Sequence, residues 1–223
     1  MGTNITFKRP DGKEGAGYFA AAADPRAPSI VVVQEWWGVQ EQIKGICDRL
    51  ASAGFSALAP DLYHGVVVPY HDREAAAREM ASLDFIEATD QLVGGAAAHL
   101  AKNGAKVGLT GFCLGGAVTI IGACRLQGLA AAVAFYGLPP EEVAPPAAIR
   151  VPFQAHFASR DDWCTPELVD RFEQGLRAAG KQAEIFRYEA DHAFLNEKRP
   201  VYDKAAADLA WGRMAAFFER YLR

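Results

Sequence analysis

The chemistry in this chain starts at Cys113. Residues 107–118, VGLTGFCLGGAV, pass from an apolar run through Gly111-x-Cys113-x-Gly115 into a series of small residues. That pattern describes a strand, a sharp turn and the start of a helix, with the cysteine at the apex. Glycine is needed two positions either side because a side chain there would strike the neighbouring strand and helix. A cysteine so placed stands at a helix N-terminus, whose positive end favours the thiolate, the nucleophilic form. Such a nucleophile requires a base and a third group that orients the base. His192, within residues 190–194, ADHAF, is placed for the first role. Asp161 and Asp162, within residues 159–166, SRDDWCTP, are placed for the second. They are adjacent and point differently, so only one can serve. Together these residue types perform acyl transfer through a covalent thioester.

These groups act only if the chain brings them to one place. The run of β-branched residues at 29–34 reads as a strand buried on both faces. Further strands are expected at 54–60, 106–110, 130–136, 151–158 and 183–188, with a short β-rich run near 17–21 after the Pro10-Asp-Gly12 turn signal. Helices are expected at 41–53, 73–80, 84–101, from the cysteine to about 126, at 166–179 and at 201–222. Strands alternating with helices imply a mostly parallel sheet covered on both faces, with right-handed crossovers. Cys113, the aspartate pair and His192 each fall just past the C-terminal end of an expected strand. No repeat, low-complexity segment or linker interrupts residues 1–223, which read as a single α/β domain.

The order cysteine, aspartate, histidine and the segments around it resemble the dienelactone hydrolases, the cysteine-nucleophile branch of the α/β-hydrolases. The resemblance spans nearly the whole chain. It is carried by Gln34-Glu-Trp-Trp-Gly38, Ala59-Pro-Asp-Leu-Tyr63, the glycine-flanked Cys113, Phe135-Tyr-Gly137, Asp162-x-x-x-Pro166 and Asp191-His192. It implies an α/β-hydrolase fold and a Cys113, His192, Asp162 triad, since the family's aspartate stands four residues before that proline. It implies that Glu35 accepts the thiol proton when substrate enters. It also implies that the backbone N–H groups of Leu114 and Trp36 form an oxyanion hole. Family members that open dienelactone hold its carboxylate with two arginines. Arg78 aligns with the first, while Asn196 stands where the second is expected, leaving Lys198 or Arg199 to substitute from a shifted turn. Trp37 and Phe85 fall where the family shapes the pocket, and imply aromatic walls.

The expected activity is hydrolysis of a lactone or ester. A carboxylesterase or thioesterase acting on an uncharged substrate competes with it, and so does a module that captures a lactone or acid without turnover. A net charge of −4 argues against a nucleic acid or an anionic membrane as partner. No run of about 18 apolar residues occurs, and the N-terminal residues lack a signal layout, so a cytoplasmic location is expected. The cysteines Cys47, Cys113, Cys124 and Cys164 form no CxxC pair and no cluster with metal-ligand spacing. Cys47 and Cys124 read as buried hydrophobes. No metal, nucleotide or flavin is implied, because the glycine run lacks GxGxxG spacing. His64, His71, His99 and His156 carry no expected role. The final helix reads as packed on its own sheet, which favours a monomer.

Overall fold

The computed structural model describes residues 1–223, except for the side chain of Asn103. Its centre is an eight-stranded sheet in the order β1-β2-β4-β3-β5-β6-β7-β8. The strands are β1 (Thr3–Lys8), β2 (Glu14–Ala20), β3 (Ser29–Val33), β4 (Ser56–Pro60), β5 (Val107–Phe112), β6 (Leu129–Phe135), β7 (Phe153–Arg160) and β8 (Ala183–Asp191). From β4 across to β8 every pairing is parallel. The helices are α1 (Glu41–Ser52), α2 (Arg73–Ser82), α3 (Phe85–Glu87), α4 (Gly94–Leu100), α5 (Leu114–Arg125), α6 (Pro166–Ala178) and α7 (Lys204–Leu222).

The central strands are apolar throughout because both faces are covered. In β3, Val31 and Val33 enter one core and Ile30 and Val32 the other. The first core adds Leu92, Val118, Val169 and Leu176 from the helical run around α4 and from α5 and α6. The second adds Ile43 and Leu50 of α1 and Met214 and Phe218 of α7. Cys47 and Cys124 are packed in these cores, and the final helix covers the sheet as expected. Gly180, at φ 65°, closes the turn after α6.

Two elements differ from the expectation. The N-terminal edge is a hairpin, β1 pairing antiparallel with β2, and β2 antiparallel with β4. Only Phe7 of β1 is buried, so the strand carries almost no apolar signal. The helix expected at 84–101 is interrupted by a π-helical turn at Ala88–Val93, between α3 and α4. Among the described residues no helix is long and apolar enough to cross a membrane.

Candidate active site

Cys113 caps α5 with φ 56° and ψ −117°, a backbone conformation that a residue with a side chain rarely adopts. The surrounding glycines make it feasible. A Cβ on Gly111 would lie 2.2 Å from the Gly115 carbonyl oxygen, and one on Gly115 would lie 2.4 Å from that of Val33. Gly137, after β6, is under the same constraint, since its Cβ would sit 2.1 Å from the Cys113 oxygen. The Cys113 N–H donates to the Phe135 oxygen at 3.0 Å, tying the turn to the next strand.

His192 follows β8 and is oriented from behind. Its Nδ1 lies 2.7 Å from Oδ2 of Asp161, whose side chain is fully buried. The other carboxylate oxygen of Asp161 accepts N–H bonds from Trp163 at 2.8 Å and Cys164 at 3.0 Å. Burial works against charge on both partners, yet their contact prevails. Asp161 is held below the usual carboxylate range, chiefly by His192. Burial alone would lower the pKa of His192. Its bond to Asp161, with Cys113 acting in the same direction, instead lifts it to about 10. The His192 ring is braced by Tyr136, edge-on at 5.3 Å.

Cys113 and His192 open into one cavity of about 370 Å³, lined also by Trp36, Arg73, Met80, Arg160, Asp162, Trp163, Asp191, Arg199 and Val201. Arg160 is paired with Asp191 at 2.7 Å. Among the described residues Arg73 and Arg199 form no ion pair; they lie over indole rings, Arg73 at 5.9 Å from Trp36 and Arg199 at 5.4 Å from Trp37. Trp163 stands 58% exposed at the rim, edge-on to Trp36 at 6.0 Å. Among the described residues no group of His, Cys, Asp and Glu gathers as a metal site.

Residues 16–222 match the model of the dienelactone hydrolase family. The chain belongs to that family. An Aquifex pyrophilus protein named usf is 34% identical over the whole of both chains. A protein of Aquifex aeolicus, provisionally named a carboxymethylenebutenolidase, is 32% identical over the same full extent. A Klebsiella pneumoniae structure, provisionally named a dienelactone hydrolase, superposes with TM-score 0.87 at 31% identity, covering 99% of this chain and all of that one. The sheet and its flanking helices are those of the α/β-hydrolase fold.

Against this dienelactone hydrolase framework, several expected positions require correction. Asp162 does not meet His192: it is exposed on the cavity wall, and Asp161 takes the place behind the histidine. The proline count pointed to the wrong member of the pair because Asp161 also closes its own loop, which turns Asp162 outward. Arg78 is exposed on α2 and absent from the cavity wall. Arg73 and Met80, seven residues apart, share a helix face within about 20°, whereas Arg78 lies about 160° around from Met80. That period and the Asp72 cap before it were readable; which face of the helix the fold turns to the cavity was not.

Trp37 is buried behind Trp36, its ring edge-on to Tyr70 at 5.4 Å, and does not reach the cavity. Phe85 packs against the core at the start of α3 rather than on the wall. Asn196 is fully buried, because its N–H folds back to the Ala193 oxygen at 3.0 Å. The following turn, Arg199 N–H to the Asn196 oxygen at 3.1 Å, carries Arg199 to the cavity instead. Glu35 is 2% exposed, accepting from Asn196 Nδ2 at 2.7 Å and from the Tyr136 hydroxyl at 3.3 Å. Burial raises its pKa against those two donors. Leu114 opens α5 and Trp36 follows Glu35; among the described residues neither N–H is taken up by a turn, loop or cap bond. Arg160 and Trp163 flank the aspartate pair and had no distinguishing signal in sequence.

Proposed function

We propose that the chain hydrolyses a lactone or ester bearing a carboxylate, through a Cys113 thioester. The observation that carries this reading is His192 beside a strained cysteine on the wall of one cavity, held from behind by buried Asp161 at 2.7 Å. A base fixed in its tautomer by a buried carboxylate, next to a thiol at a helix N-terminus, is the arrangement that nucleophilic acyl transfer needs. Cys113 Sγ, as thiolate, attacks the carbonyl carbon. The carbonyl oxygen gathers charge against the N–H groups of Leu114 and Trp36. As the carbon–oxygen bond to the leaving group breaks, His192 gives its proton to that oxygen. Water then loses a proton to neutral His192 and attacks the thioester, releasing the acid and restoring the thiolate and imidazolium. Asp161 remains ionised throughout.

The guanidinium groups of Arg73 and Arg199, without an ion partner among the described residues, support an anionic substrate, since a carboxylate between them would orient the reacting carbonyl. The test is turnover of a dienelactone beside matched uncharged lactones and p-nitrophenyl esters, with Cys113→Ala as control. The expected result is preference for the carboxylate-bearing lactone, with KM raised about tenfold for that substrate alone in Arg199→Gln. Equal preference for uncharged esters would make the same machinery a general carboxylesterase. A stable acyl adduct without product release would make it a capture module.

A further inference from the structure

A second cavity, of about 170 Å³, shares α2 with the first: Met80 lines the catalytic cavity, while Glu79 and Ser82 line this one. Tyr63 reaches its wall from the turn after β4. Asp61 ties that turn, its carboxylate accepting the Tyr63 N–H at 2.9 Å and also the N–H of Gly65. Tyr63 is 4% exposed, and its hydroxyl has no hydrogen-bond partner among the described residues. A buried polar group left unpaired is costly, so this hydroxyl lacks a partner that a ligand could supply. Burial raises the Tyr63 pKa, and Cys113 and Glu79 add to the rise, so the hydroxyl lies within the field of both.

The rest of the wall is acidic. Glu79, Asp84 and Glu87 face one arginine or lysine among the described residues, Arg9. Arg9 is already met by Asp11 at 2.7 Å and by Glu87 at 3.2 Å, which leaves Glu79 and Asp84 without an ion partner among the described residues. Asp84 spends one oxygen, Oδ1, on the N–H groups of Ile86 and Glu87. The C-terminal end of α2 adds partial negative charge, since its last turn holds no basic side chain. Leu62, Leu83 and Leu92 supply apolar surface beside these groups. The carboxylates do not gather as a metal site.

We propose that this cavity binds a short-chain primary alkylammonium ion, its head among the Tyr63 hydroxyl and the carboxylates of Glu79 and Asp84, its chain against the three leucines. The three N–H donors of an ammonium group match those three acceptors. The preference is opposite in sign to that of the catalytic cavity, and it does not depend on the thioester reading.

Isothermal titration calorimetry of n-butylammonium chloride into the full chain, beside 1-butanol, sodium butyrate and sodium chloride, tests the proposal. The expected result is one saturable site for butylammonium, at least about tenfold tighter than for butanol, and none for butyrate or sodium chloride. Glu79→Gln and Tyr63→Phe should each weaken it about tenfold. Tyr63→Phe should melt no lower than the wild type, because it removes an unpaired hydroxyl rather than a bond. Amide resonances that shift on adding butylammonium should centre on Tyr63, Ser82 and Leu83. Shifts centred on Trp36 and Asp162 would place the cation in the catalytic cavity and overturn the proposal. Butanol binding as tightly, or an affinity unmoved by both variants, would also overturn it. A lower melting temperature in Tyr63→Phe would mean that the hydroxyl is already satisfied within the chain, which removes the premise.

Discussion

Two neighbouring aspartates show how fine the division of labour is at single residues. Asp161 has a fully buried side chain and three hydrogen bonds, whereas Asp162 faces the open cavity. Asp161→Asn should therefore cut kcat by at least about a hundredfold, while Asp162→Asn acts mainly on KM. The same variant tests the charge on His192. With its pKa raised from 6.5 to about 10, His192 lends stability that is whole below pH 6.5 and is lost as pH rises through about 10. The lowered pKa of Asp161 has the opposite sense: its share is present above the ordinary carboxylate pKa and is lost in acid. Imidazole C–H resonances followed by NMR should place the His192 titration near pH 10 in the wild type, and markedly lower in Asp161→Asn. An unmoved titration would count against the pair as the cause.

At the scale of elements, the parts with strong local signals were readable and the joints between them were not. The glycines around Cys113, the β-branched run of β3 and the proline that opens α6 each leave a mark in sequence, and each lies where expected. The hairpin strand β1 left none, because its neighbours bury one of its faces only at Phe7. The choice between aspartates, and the exchange of Asn196 for Arg199 on the cavity wall, depended on single-residue turns that hydrogen bonds set in three dimensions. Gly137 belongs to these joints, since it lets β6 approach the cysteine carbonyl. Gly137→Ala should lower stability by about 2 kcal/mol or more through overpacking, and reduce kcat in the fraction that folds. Denaturant unfolding and kcat in the same preparation would check this; an unaffected variant would mean that β6 can move aside.

Across the whole molecule, charge is distributed unevenly with respect to the cavity. The chain is acidic overall, at −4, yet the cations without an ion partner at the cavity are Arg73 and Arg199, among the described residues. An anionic substrate therefore meets attraction at the mouth despite the net charge. Because exposed charges are screened over about 10 Å at 0.1 M salt, kcat/KM for a carboxylate-bearing lactone should fall as salt is added. That for an uncharged ester should hold steady, and parallel responses would remove the arginines from recognition. The sheet makes this arrangement possible: parallel strands β3, β5, β7 and β8 all end on the same side, so turns distant in sequence share one mouth.

If Cys113 is the nucleophile proposed above, its positive φ also sets catalysis and durability against each other under selection. A non-glycine residue in such a conformation costs about 1–3 kcal/mol, and glycine would relieve most of it while adding about 0.5–1 kcal/mol of unfolded-state entropy. Cys113→Gly is thus expected to melt a few degrees above the wild type while losing all turnover. Directed evolution that rewarded heat resistance alone would discard the nucleophile among its first improvements, so a library built on this scaffold has to be screened for activity at every round.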